Sequence, residues 1–321
     1  MAERILDLSE RPAHLSVRNE LLVIRFGPVA AVYDRRTTGD GEVAPTEAAE
    51  AAPPETHTVP LADIAVVIAS HPQISYTHAV LSGLAAAGGM FVVCDQKHLP
   101  AAMLLPLVTH STQTERFAAQ AKLPLPTSKR LWQQIVQAKL RAQARLLEER
   151  TGKDWGLGAL AGRVRSGDPE NMEGQAARIY WRALFADEDF RRDPEGEGIN
   201  SCLNYGYAVL RAAVARAICG TGLHPSLGIH HHNRYDAFCL ADDLMEPFRP
   251  VVDCVVARLR DLRGNDIPLD KEAKRALLEA LLGRFTADNE SRTLFDWVSR
   301  TACSLSAVIE GSAEKLEIPR L

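Results

Sequence analysis

Hydrophobic periodicity changes once along this 321-residue chain, and the change falls near residues 106–112. Before it, apolar residues gather in short runs of strand length, rich in β-branched side chains. After it, they recur at three- and four-residue spacing over long segments. Such a chain is predicted to be α+β, with a small β-rich domain over residues 1–108 and a larger, all-helical domain over residues 109–321. The length suits two cores of ordinary size. With 46% hydrophobic and 24% charged residues, the composition excludes wholesale disorder.

In the first part, residues 5–8, 14–17, 21–26 and 29–33 read as strands. Residues 37–55 are Ala, Glu, Pro and Gly without periodicity. They hold too few large apolar side chains to offset the entropy of ordering, so they read as a flexible insertion. Residues 64–69 and 90–94 are continuous apolar runs. Between them, helical spacing over 75–87 ends at Gly88 and Gly89, which makes a strand–helix–strand unit. Helices are predicted over 114–121, 127–150, 173–185, 199–219, 243–262, 271–282 and 286–309.

The six cysteines are scattered without a C-x-x-C pair, which suggests neither a zinc ribbon nor a disulfide framework. No apolar stretch approaches the ~18 residues of a membrane span, and the first residues lack the layout of a secretory signal. The expectation is a cytoplasmic protein without a membrane partner. The net charge of −4 is unevenly spread: residues 112–165 carry eleven basic and four acidic side chains, which is +7 there and −11 elsewhere. That stretch is either a solvated helical face or a phosphate-binding one.

The densest polar cluster lies within residues 225–250, where His230, His231 and His232 precede Asp242, Asp243 and Glu246. On a helix beginning near Asp243, Asp243 and Glu246 would share the first turn. With a histidine from the preceding loop they could form a mixed nitrogen and oxygen metal site. The same spacing also matches a capping box, with both acids serving only the helix end. Spacing alone does not choose among the three histidines. Glu173 opens another helix and reads on its own as an N-terminal carboxylate. Asn204, Tyr205 and Tyr207 read as buried hydrogen-bonding groups. There is no P-loop, dinucleotide fingerprint, G-x-S-x-G or H-E-x-x-H, so the chemistry of those motifs is disfavoured.

Three segments taken together carry a resemblance: E-G-Q-A-A-R-I-Y-W from Glu173, L-N-Y-G-Y-A-V-L from Leu203, and L-G-I-H-H-H running on to D-D-L-M-E-P-F-R-P. They closely resemble the CRISPR-associated adaptation endonucleases, the Cas1 family. H-P-Q-I-S-Y-T-H-A from His71, C-D-Q-K-H-L-P from Cys94 and L-W-Q-Q-I-V-Q-A-K from Leu131 are similar to the branch found with type II systems. The resemblance implies a β-rich dimerisation domain and a helical catalytic domain. It places metal ligands at Glu173, His231 and Glu246, with Asp243 assisting catalysis. It further implies Mg²⁺ or Mn²⁺ as cofactor, and double-stranded DNA, a homodimeric copy and the small Cas2 protein as partners. The implied reaction is integration: 3′ hydroxyls of captured foreign DNA are joined to the CRISPR repeat by transesterification. The basic stretch would then bind backbone phosphates, and its affinity would fall with salt. Two other readings of the same residues are a non-catalytic DNA-binding scaffold of the adaptation complex and a phosphohydrolase of small substrates. The basic stretch argues against the latter.

Overall fold

The computed structural model describes residues 4–27, 55–95, 100–105, 110–194 and 196–321. The predicted strand over 29–33 and residues 37–54 of the insertion lie outside the described residues, as do residues 106–109 at the predicted domain boundary. Internal contacts divide the chain into a smaller unit spanning Leu6–Leu104 and a larger one spanning Leu105–Leu321.

The smaller unit is built on two four-stranded sheets. One has the order β1 (Arg4–Leu8), β5 (Ile64–Ala69), β7 (Met90–Cys94), β8 (Pro100–Leu104). The other runs β4 (Glu55–Pro60), β3 (Leu21–Phe26), β2 (Ala13–Arg18), β6 (Ile74–Tyr76). Strands β5 and β7 are parallel, with Val66 opposite Met90, and α1 (His78–Ala86) connects them, as the apolar runs predict. Strands β2 and β3 form a hairpin whose two-residue turn, Asn19 and Glu20, has positive φ at both positions, which matches the right-handed twist of the strands. Leu15, Leu22, Ile64, Val80, Leu84 and Phe91 lie in one shared core. The sequence reading missed β4, β6 and β8. The pattern of β4 is exposed at five of six positions, so it carries no apolar signal. The predicted helix over 75–87 yields its first residues to β6, which pairs parallel with β2.

The larger unit is mostly helical. Its helices are α2 (Gln113–Ala121), α3 (Leu125–Thr151), α4 (Leu157–Arg163), α5 (Met172–Phe185), α6 (Ile199–Gly220), α7 (Cys239–Met245), α8 (Arg249–Arg263), α9 (Lys271–Leu281) and α10 (Leu294–Ile309). The long α3 begins with Pro126 in its first turn and ends on Gly152 in the left-handed region. Helix α6 lies close against α8: a Cβ on Gly206 would stand 2.4 Å from Val252, so only glycine permits this approach.

Three expectations for this unit are corrected. It is not all-helical, because β9 (Arg284–Ala287) and β10 (Glu290–Thr293) form a hairpin where a helix was predicted from 286. Its turn is Asp288 and Asn289, both at positive φ. Helix α4 was not predicted. The segment 243–262 is not one helix: α7 begins at Cys239, a 3₁₀ turn at Glu246–Phe248 contains Pro247, and α8 follows. None of the six cysteines forms a disulfide. Among the described residues, no helix is long and apolar enough to cross a membrane.

Candidate active site

Two acidic side chains from different elements face one lysine. Glu173 stands in the first turn of α5, and Glu246 opens the 3₁₀ turn between α7 and α8. Lys139 of α3 reaches both, its Nζ lying 2.5 Å from Glu173 Oε1 and 2.5 Å from Glu246 Oε2. Burial opposes the lysine charge, but the Glu246 and Glu173 carboxylates hold its pKa above the usual lysine value.

Glu173 is free to make this contact because other residues cap α5. The Asp168 carboxylate accepts from the amides of Met172 (2.9 Å) and Glu173 (3.0 Å), and Asn171 Oδ1 accepts from that of Gly174 (3.0 Å). Glu173 is therefore not the helix cap that its position alone suggests.

Glu246 is 4% exposed. Burial pushes its carboxyl up, yet the Arg249 and Lys139 charges bring it below the ordinary glutamate value. Arg249 Nε lies 2.9 Å from Oε1. Oε2 faces the Lys139 ammonium at 2.5 Å.

Asp243 organises the histidine loop. Wholly buried in α7, it accepts at Oδ2 from the amides of Ile229 (2.6 Å) and His230 (2.9 Å), and at Oδ1 from the amide of His231 (3.2 Å). Oδ1 also lies 2.6 Å from His231 Nδ1, and this hydrogen bond raises the imidazole pKa against the effect of burial. An ionised carboxylate only accepts, so Nδ1 carries the proton and the neutral ring keeps its lone pair on Nε2. Gly228 permits this loop, since a Cβ there would meet the His231 carbonyl oxygen at 2.2 Å. His230 instead stacks on buried Trp132, with centroids 4.1 Å apart and planes 2° from parallel, and burial lowers its pKa. Among the three histidines the structure thus distinguishes His231 as the ring oriented by a buried carboxylate. The capping-box alternative does not hold, because no side chain caps either α7 or the 3₁₀ turn.

The donors suit a hard divalent ion in kind: two carboxylates that already share one cation, and an imidazole oriented by a third. Among the described residues, no three His, Cys, Asp or Glu side chains stand close enough together to hold an ion. The Lys139 ammonium sits at the point the two carboxylates share.

A second buried network supports this arrangement from below. Tyr180 and Tyr207 both donate to Asp253, the former at 2.6 Å, and Arg249 lies 4.6 Å from the Tyr207 ring centroid. Burial raises the Asp253 carboxyl to about 6 against the pull of both hydroxyls and Arg249. Asp253→Ala strands two buried phenols, so we expect a loss of about 2 kcal/mol of stability, read as a lower urea midpoint at unchanged slope. On α6, Asn204 accepts from Arg192 and donates to the Pro194 carbonyl at 2.7 Å, while Tyr205 lies 5.8 Å from the Lys274 ammonium. Tyr207 thus serves as the buried hydrogen-bonding group expected of it, whereas Asn204 makes its hydrogen bonds from a position that is only half-buried.

The basic stretch divides in two. Arg116 pairs with Glu310, Lys139 with the carboxylates, Arg150 with Asp261 and Arg165 with Glu170. Lys122, Lys129, Arg130, Arg141, Lys153 and Arg163 are exposed. The sequence reading counted Lys139 among candidate phosphate binders and did not foresee the roles of Asp168, Asp253 or Arg249.

Comparison with known proteins agrees with this fold. The family model of CRISPR-associated protein Cas1 matches residues 46–281. A CRISPR-associated endonuclease Cas1 of Neisseria meningitidis is 36% identical over 271 residues, covering 83% of this chain and 88% of that protein. Among solved structures, a casposase bound to integration product superposes with a TM-score of 0.75 at 20% identity, covering 98% of this chain and 92% of that one. A Cas6–RT–Cas1–Cas2 complex gives 0.70 at 17% identity, covering 98% of this chain and 35% of that one. A Cas1–DNA complex gives 0.54 at 16% identity, covering 94% and 90%. At these identities the structures establish a shared fold.

Proposed function

The chain belongs to the Cas1 family of CRISPR-associated endonucleases and integrases, and from that premise we propose that it is the metal-dependent integrase of spacer acquisition. Its reaction is transesterification. A 3′ hydroxyl of captured foreign DNA attacks a phosphodiester at the CRISPR repeat boundary, one phosphorus–oxygen bond forms, another breaks, and the departing strand leaves with a hydroxyl. One phosphodiester replaces another, so no nucleotide cofactor is required, in keeping with the missing P-loop.

The observation that carries this reading is the convergence of Glu173 and Glu246, from separate elements, on one cation position, with the His231 imidazole near enough to feel the Glu246 charge. Glu173, Glu246 and His231 would hold Mg²⁺ or Mn²⁺. When bound, such an ion would polarise the phosphodiester and stabilise charge on the attacking and leaving oxygens. Asp243 orients His231 by fixing its Nδ1 proton, and Arg249 holds the Glu246 carboxylate by its other oxygen. The exposed basic residues of α3, α4 and their flanks bind double-stranded DNA through backbone phosphates. A second copy of the chain and a Cas2 protein complete the working assembly. The Cas1–DNA and Cas1–Cas2 neighbours support DNA and Cas2 among these partners.

The test is a strand-joining assay with the chain, its Cas2 partner, a short duplex with free 3′ hydroxyls and a plasmid carrying leader and repeat. We expect joining with Mn²⁺, none with EDTA, and none when the 3′ hydroxyls are blocked. A plasmid that is bound but never nicked or joined with any metal would return the site to the scaffold reading.

A further inference from the structure

We propose that Lys139 is a tethered counter-ion that holds the place of the divalent metal between Glu173 and Glu246 and must withdraw when the ion binds. The inference rests on the metal-dependent reading of the site. Lys139 lies on the buried stripe of α3, in helical register with Trp132, Ile135, Val136 and Gln143, all of them buried. A lysine rarely occupies such a position unless it is paired. Its partners come from two other elements, α5 and the 3₁₀ turn, and they are the same carboxylates that the metal would use.

Both oxygens lie 2.5 Å from one nitrogen, and therefore no more than 5 Å apart. Without a cation between them, two carboxylates so close would repel in a poorly solvated setting. Bonds to a divalent ion of about 2.0–2.2 Å need only a small closing of the same pair. The ammonium cannot remain there at that distance. Its flexible four-carbon stem and compact charge allow it to leave. Arg249 stays on Glu246 Oε1, so Glu246 presents Oε2 in either state. Lys139 therefore holds the two carboxylates together and fixed before loading, and competes with the ion for them.

The test compares the full chain with Lys139→Met and Lys139→Gln, the latter retaining polar contact. Mn²⁺ binding is followed by calorimetry, and thermal unfolding is followed in EDTA and in Mn²⁺. We expect both variants to bind Mn²⁺ at least about tenfold more tightly than the wild type. We also expect them to melt lower in EDTA and to gain more from Mn²⁺ than the wild type does. A variant that folds only with Mn²⁺ also supports the proposal. Unchanged or weaker binding by a folded variant overturns it, as does failure of both variants to fold even in Mn²⁺, because the ion would then be unable to replace the ammonium. If neither the wild type nor the variants bind Mn²⁺, the metal reading fails, and this proposal fails with it.

Discussion

Glu173→Gln is expected to lower strand joining by at least about 10³-fold, beyond the 10–100-fold typical of losing a group that merely supports a metal ligand, while DNA binding stays within a factor of about two. The substitution keeps the shape of the side chain and removes the charge that faces Lys139. It should leave the fold intact, because Asp168 and Asn171 supply the first-turn hydrogen bonds of α5. The expected loss is therefore one of chemistry. Joining and gel-shift assays on one preparation separate the two properties. Joining at the wild-type rate would remove Glu173 from the mechanism, and parallel loss of binding would point to misfolding.

The largest expected effect on stability belongs to Asp243→Ala, at about 3–5 kcal/mol. Asp243 is wholly buried and gathers three successive backbone amides, from Ile229 to His231, together with the His231 ring. Its removal leaves all four donors facing a small apolar side chain. Guanidinium unfolding would show the loss as a lower midpoint. The His231 loop should also become susceptible to proteolysis before the rest of the larger unit. An unchanged midpoint would mean that the loop is held by something other than this carboxylate.

Much of the architecture was legible in the sequence, because burial imprints its period. The apolar runs at 64–69 and 90–94 are strands, and the long patterns that became α3, α5, α6 and α9 are helices near their expected ends. The elements missed are those whose period is weak or interrupted. Strand β4 is almost wholly exposed. The β9–β10 hairpin announces itself only by Asp288 and Asn289, two residues suited to a tight turn within an otherwise helix-like stretch. The break at Glu246–Phe248 is signalled by Pro247, which cannot continue a helix interior.

At the site, the family resemblance supplied Glu173, His231, Asp243 and Glu246. Geometry adds what each is bonded to. The clearest missed signal is Lys139. A single cation among Trp132, Ile135 and Val136 on one helical stripe marks a charge turned inward, but a count of basic residues places it on the surface with its neighbours. Asp168 and Asn171 stand three residues apart just before α5, a capping arrangement readable in principle from the sequence.

The two carboxylates come from positions 173 and 246, and the lysine that joins them from position 139. A ribosome releasing this chain therefore produces most of the larger unit before the two carboxylates can meet. The carboxylate pair comes into being only when α5 and the 3₁₀ turn dock beside α3, so it is a product of tertiary packing that no single element of the chain contains.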